Sequence, residues 1–184
     1  MEKEIQQMDL NECLNLIGEN KMTKNVYIRL AGVEPNDMAN GEGVCVSVFL
    51  QGCPHHCPGC HNPETWSFDG GEEYVIDDAI AGILKLIRAN DIQRNLSILG
   101  GEPLCSENIE FTELLAAAAK NKYPNIKIFC WTGYVLEDLD QNALKNIDVL
   151  IDGPFQLENR DITLPLRGST NQRVLLNGID FLKK

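Results

Sequence analysis

Three cysteines, Cys53, Cys57 and Cys60, fall within one short loop, and all three histidines of the chain, His55, His56 and His61, stand beside them. Thiolates are soft donors, which selects zinc or iron-sulfur chemistry over magnesium or calcium. Fully extended, the steps from Cys53 to Cys60 would span roughly 23 Å, far wider than any metal site, so joint ligation requires the loop to wrap. Pro54, Pro58 and Gly59 suit such a turn. Three readings compete. Free thiols beside a turn would leave the close spacing and the prolines without a purpose. A structural zinc site would complete a Cys₃His set with His55, His56 or His61, although zinc usually takes two ligand pairs far apart in sequence and no second pair follows. A cubane iron-sulfur cluster on the three cysteines would leave one iron without a protein ligand, an open position where substrate can bind.

The other four cysteines, Cys13, Cys45, Cys105 and Cys130, are scattered singly. An odd total of seven without a secretion signal argues against a disulfide framework. Cys45 and Cys130 sit in apolar runs, where a thiol behaves as a small hydrophobe. Gly100-Gly101-Glu102-Pro103 reads, taken alone, as an ordinary strand-to-helix turn. Asp152-Gly153-Pro154-Phe155 follows another apolar run, with Asp152 suited to capping the turn. Arg167, Gly168, Ser169 and Arg173 supply the sharpest local positive charge, fit either for a carboxylate or for surface salt bridges. Trp131 is expected in the core and Tyr134 on a cavity wall.

These residues need elements to position them. Val44, Val46, Val48 and Leu50 alternate with Cys45, Ser47 and Phe49, and both sets are apolar or small, so this strand is covered on both faces. Val26 to Leu30 reads as a short strand and Gly32 to Gly43 as a loop marked by Pro35 and Asn40-Gly41. Ile76, Ala79, Ile80, Ile83, Leu84 and Ile87 form a helical stripe, with Asp77 and Asp78 favourably placed in its first turn. Asn95 to Leu99, Ile126 to Trp131, Asp148 to Ile151 and Arg173 to Leu176 read as strands. Phe111, Leu114, Leu115 and Ala118 mark a second helix, and Leu136 to Lys145 a third. Strands alternating with helices imply βαβ units and a mainly parallel sheet. An eight-unit barrel takes about 250 residues, so 184 residues supply only a partial, open barrel or an open sheet.

Sixteen Lys and Arg against 27 Asp and Glu leave a net charge of -11, which offers no global field for nucleic acid or an anionic membrane. No apolar run approaches a membrane span, and MEKEIQQMDL is too polar for a signal peptide, so a cytoplasmic protein is expected. Residues 1 to 25 are polar, with at best a weak helical stripe, and form an N-terminal extension; residues 26 to 184 form one domain.

The Cys-x3-Cys-x2-Cys loop after the first core strand resembles that of the radical S-adenosylmethionine enzymes. With GGEPL (Gly100 to Leu104), DVLIDGPF (Asp148 to Phe155) and RGSTNQR (Arg167 to Arg173), the loop GCPHHCPGCHNPETW (Gly52 to Trp66) is similar to that of the anaerobic ribonucleoside-triphosphate reductase-activating proteins, from about Val26 to Leu182. The resemblance implies a partial, open (β/α) barrel of the radical S-adenosylmethionine type. It implies one 4Fe-4S cluster on Cys53, Cys57 and Cys60, with S-adenosylmethionine on the fourth iron. Gly59, Cys60, His61, Gly100, Gly101, Glu102, Asp152 and Arg167 are then the residues around that cofactor, with Glu102 and nearby carbonyls accepting from its ammonium group. His55 and His56 receive no ligand role and are expected to face solvent. Where these relatives usually carry an aromatic residue after the third cysteine, the chain has His61. The implied activity is reductive cleavage of S-adenosylmethionine to a 5′-deoxyadenosyl radical, which takes a hydrogen from a glycine of the anaerobic reductase, with flavodoxin or a similar donor supplying the electron. The alternatives are an activase of another glycyl radical enzyme, of the pyruvate formate-lyase type, and a non-catalytic zinc-stabilised interaction module.

Overall fold

A computed structural model describes residues 27–181. The helical stripe considered for residues 1 to 25 lies outside the described residues. Among the described residues seven strands form one mixed sheet: β1 (Tyr27–Asp37), β2 (Cys45–Leu50), β3 (Glu72–Val75), β4 (Asn95–Gly100), β5 (Ile128–Trp131), β6 (Val149–Asp152) and β7 (Arg173–Leu176), in the order β3-β1-β2-β4-β5-β6-β7. The central run β2-β4-β5-β6 is parallel, whereas β1 and β3 on one side and β7 on the other join antiparallel. The sheet is open, with β3 and β7 as its edges.

Alternation along the parallel strands divides the sheet into two unlike faces. Val46, Val48, Leu50, Leu96, Ile98, Ile128, Cys130 and Leu150 point to one side and pack with α1 (Ile76–Ile87) and α2 (Ile109–Lys122) in a single core. Full burial of each Leu or Ile there contributes about 1.5–3 kcal/mol. The residues that α1 buries are the six of the predicted stripe. On the opposite face Phe129, Val149 and Ile151 form a smaller cluster with Trp131, Leu166 and Val174. Ser47 and Ser97 are fully buried and pair across β2 and β4. Ser47 donates to Asp37 at 2.7 Å and Ser97 to the Asn40 carbonyl, so the segment after β1 covers this end of the second face.

Two elements differ from the sequence reading. β1 extends through the stretch expected to be a loop, because Gly32, Val33 and Glu34 pair with Phe49, Val48 and Ser47. Pro35 is accommodated at a register shift between Glu34 and Asp37, where the ladder needs no N–H from it. The helix expected over Leu136 to Lys145 is a 3-10 turn, Leu136–Asp138, followed by tight turns. The Asp140 carboxylate accepts the Asn142 N–H at 2.9 Å, and Ala143 N–H bonds the Asp140 carbonyl at 3.0 Å. A side chain that satisfies the backbone locally competes with helix propagation.

Candidate functional site

The C-terminal ends of the parallel strands are where an α/β sheet presents its ligand-binding loops. The cysteine loop leaves β2, Gly100-Gly101-Glu102 closes β4, Thr132-Gly133 follows β5 and Gly153-Pro154-Phe155 follows β6. Together they border a cleft of about 390 Å³ on the sheet face opposite α1 and α2, with Leu99 and Trp131 in its wall. Cys53, Cys57 and Cys60 all line it, as do Gly100, Gly101, Glu102, His61 and Arg167.

The cysteine loop is closed on itself. Gly52 N–H bonds the Thr65 carbonyl at 2.8 Å and Cys53 N–H bonds the Trp66 carbonyl at 3.1 Å, so both ends of the loop meet. A 3-10 turn over Pro63–Thr65 builds the returning arm, and buried Gln51 donates to the carbonyls of Glu64 and Ser67 at 3.0 and 2.7 Å. Within the loop, Cys60 N–H bonds the Cys57 carbonyl at 3.0 Å. Gly59 sits at the exposed tip with φ +73°, and a Cβ there would lie 2.9 Å from Leu157 Cδ1. The tip's conformation therefore asks for glycine.

The thiols are free and half-buried. Burial pushes Cys53 and Cys57 up from the ordinary thiol value, partly offset by backbone N–H groups of His55 at the first and Phe155 at the second. Among the described residues, no three His, Cys, Asp or Glu side chains converge on a point that would hold a single metal ion. A cubane cluster instead takes each thiolate on a separate iron, so three thiols distributed around one cleft fit it as a donor set. Trp66 Nε1 and Arg167 Nε add to that fit: each is buried with no partner among the described residues, and both residues line the cleft. Unpaired buried N–H donors suit an acceptor-rich, anionic occupant.

Glu102 joins the strands at the floor of the site. Its N–H bonds the Gly52 carbonyl at 2.8 Å, and Gly101 N–H bonds the Leu50 carbonyl at 2.7 Å, which seats the β4 turn directly on the start of the cysteine loop. Asn108, just before α2, holds the same two segments through its amide, donating to the carbonyls of Gln51 and Glu102 at 3.0 Å each.

Not every expected residue faces the cleft. Asp152 continues the alternation of β6 to the face opposite Ile151, is 1% exposed, and receives Arg173 Nε at 2.9 Å and Leu136 N–H at 2.8 Å. Arg173 is engaged there and with Glu137, whereas Arg167 reaches the cleft rim and donates to the Gln172 carbonyl at 2.9 Å. Trp131 lines the cleft and donates to the Leu166 carbonyl at 2.7 Å, while Tyr134 packs against the core, the reverse of their expected roles. His56 is exposed, edge-on to Trp66, with its rings 5.0 Å apart. His55 is not solvent-facing: its ring is turned inward onto Glu102. Neither Asn108 nor this orientation of His55 has a signal in the isolated sequence.

The chain matches a family model described as a 4Fe-4S single cluster domain over residues 39–175. It is 41% identical over 143 residues to a Vibrio cholerae protein named anaerobic ribonucleoside-triphosphate reductase-activating protein, covering 75% of this chain and 91% of that one. Proteins of the same name from Escherichia coli strain K12 and Enterobacteria phage T4 are 34% and 36% identical, over 76% and 79% of this chain and 93% and 92% of theirs. Among solved structures, QueE from Escherichia coli superposes with a TM-score of 0.39 at 19% identity, over 58% of this chain and 52% of its own.

Proposed function

Because the chain belongs to the family of anaerobic ribonucleoside-triphosphate reductase-activating proteins, we propose that it activates such a reductase by installing a radical on one of its glycines. The observation that carries this reading is the shared cleft, in which three thiols face the β4 turn at the C-terminal ends of parallel strands. Cys53, Cys57 and Cys60 would hold one 4Fe-4S cluster. Cys60, His61, the Gly100-Gly101-Glu102 backbone and Arg167 would surround S-adenosylmethionine, with Gly59 shaping the loop tip beside them rather than lining the cleft. When bound, this pair supplies the electron transfer and hydrogen abstraction for which no amino-acid side chain is suited.

The protein's own residues bind, orient and shield. Arg167 offers a charge-assisted donor for a carboxylate, and Leu99, Trp131 and Phe155 give the cleft an apolar wall that limits water. The strand order β2-β4-β5-β6 advances in one direction, so right-handed crossovers set the helices on one face and leave the other for the site. That order supports a partial (β/α) barrel of the radical S-adenosylmethionine type. A sheet that stays open, with β3 and β7 at its ends, suits a substrate that is a loop of another protein rather than a small molecule. The reading places the protein in the cytoplasm with flavodoxin or a similar donor.

Anaerobic reconstitution followed by iron and sulfide analysis, 5′-deoxyadenosine measurement and electron spin resonance with the reductase tests it. The expected outcome is about four irons and four sulfides per chain, 5′-deoxyadenosine on reduction, a glycyl radical on the reductase, and loss of all three in Cys57→Ala. A colourless protein with one zinc, or a loaded protein that never cleaves S-adenosylmethionine, would overturn it.

A further inference from the structure

We infer that His55 and Glu102 form a clamp that positions the cluster loop against the β4 turn, and that the Glu102 carboxylate is a positioning group rather than a ligand for the cofactor's ammonium. The inference rests on the function proposed above and assigns roles within that site. An ionised carboxylate has about four lone-pair positions. In Glu102 four donors fill them: Leu104 N–H at 2.9 Å and Thr132 Oγ1 at 2.7 Å on Oε1, and Gly133 N–H at 2.7 Å and His55 Nε2 at 2.8 Å on Oε2. The side chain is 1% exposed. No acceptor position is left for a ligand, and the carboxylate only accepts, so His55 Nε2 carries the proton in this bond.

The four donors come from three separate segments. Leu104 belongs to the β4 turn, Thr132 and Gly133 to the end of β5, and His55 to the cysteine loop itself, between Cys53 and Cys57. His55 is the one side chain of that loop that reaches the carboxylate. Its ring is 19% exposed and lies edge-on to Tyr134 with centroids 4.6 Å apart. The seat is shaped for it: a Cβ on Gly133 would lie 2.5 Å from the imidazole, so only glycine leaves room for the ring. Pinning the loop midway between two ligands fixes where the thiols stand relative to Gly100 and Gly101, the same logic by which groups hydrogen-bonded behind metal ligands set affinity, commonly by about 10- to 100-fold.

Four variants of the reconstituted full-length protein, His55→Phe, His55→Gln, Glu102→Gln and the double His55→Phe/Glu102→Gln, separate the roles. The readouts are the rate of iron loss to a chelator, the spin-resonance signal of the reduced cluster with and without S-adenosylmethionine, and the affinity for that cofactor, with far-UV circular dichroism as the check on folding. His55→Phe keeps the ring's packing and deletes the donor; iron loss is expected to accelerate and cofactor affinity to weaken together, each by about 10-fold or more. His55→Gln, which returns an N–H near the same place, is expected to recover most of both. Glu102→Gln should move both readouts, and the double variant should be little worse than either single one. A His55→Phe protein with native iron retention and native affinity would overturn the clamp. So would a Glu102→Gln protein that loses cofactor affinity alone, since that is the behaviour of a direct ammonium ligand. A wild-type protein that takes up no cluster would bring down the proposed function and the clamp with it, a result distinct from a loaded wild type whose variants match it.

Discussion

Arg173→Ala is expected to destabilise the fold substantially while leaving the cleft's chemistry intact. Asp152 is 1% exposed and its carboxylate is met by Arg173 Nε at 2.9 Å, by Arg173 Nη2 and by Leu136 N–H at 2.8 Å. Deleting the guanidinium strands that carboxylate with a single donor, and breaking a buried pair from one side costs about 3–5 kcal/mol. The Arg173 side chain is 41% exposed, so water takes up part of its place, and a loss of about 2–3 kcal/mol is expected. Asp152→Asn leaves no orphan charge, because Arg173 retains Glu137 and the amide oxygen still accepts one bond; about 1–2 kcal/mol is expected. The double variant removes both charges and should therefore fall at least about 1 kcal/mol short of the sum. Anaerobic urea unfolding reads these differences, since about 2–3 kcal/mol moves a midpoint by about 0.7–3 M at ordinary slopes. Additive effects, or an Arg173→Ala loss under about 1 kcal/mol, would refute the reasoning. So would an Asp152→Asn protein of native stability that binds S-adenosylmethionine poorly, because Asp152 would then act in the cleft.

Arg173 also holds the Glu137 carboxyl down at about 2, from an ordinary 4.5. The folded value lies below the unfolded one, so this stability is present above about pH 4.5 and is lost as the pH falls toward 2; Glu137→Gln should flatten the acid limb of a urea-midpoint profile, and an unchanged limb would count against the bond. Leu115→Ala empties a fully buried position between α2 and the sheet and should cost about 2–5 kcal/mol by the same unfolding assay, whereas a loss below about 1 would mean the core collapses to fill it. Gly59→Ala forces a side chain into φ +73° against Leu157 and is expected to cost about 1–2 kcal/mol and to speed iron loss to a chelator, native behaviour in both arguing that the tip relaxes freely.

The elements that could be read in advance share one physical basis, a local periodicity. The α1 stripe matches the buried residues of that helix one for one, and the β2 alternation marks a strand covered on both faces, because burial repeats every 3.6 or every two residues whatever the distant partners are. The long β1 was not legible in that way. Gly32 to Asp37 contains turn-forming residues, and only the ladder offered by β2 holds them extended. Leu136 to Lys145 failed in the opposite direction: its apolar spacing is compatible with a helix, but Asp140 closes a local turn instead.

The chemistry of the cysteine loop was written in the sequence, since three thiols at that spacing with prolines and glycine between them define a soft donor set before any folding is considered. The order of strands and loops likewise put the cysteine loop and Gly100-Gly101-Glu102 on one edge. What those residues touch was decided only by the tertiary structure. His55 and His56 are adjacent and chemically identical, yet one is held by a carboxylate 47 positions away and the other lies against Trp66. Asp152 and Glu102 are both acids at strand ends, yet the pleat turns Asp152 to the face of β6 opposite Ile151, while Glu102 lines the cleft and receives four donors from three segments. Hydrogen bonds are directional and span a few ångströms, so their partners depend on how distant segments pack, a quantity that neither spacing nor composition encodes.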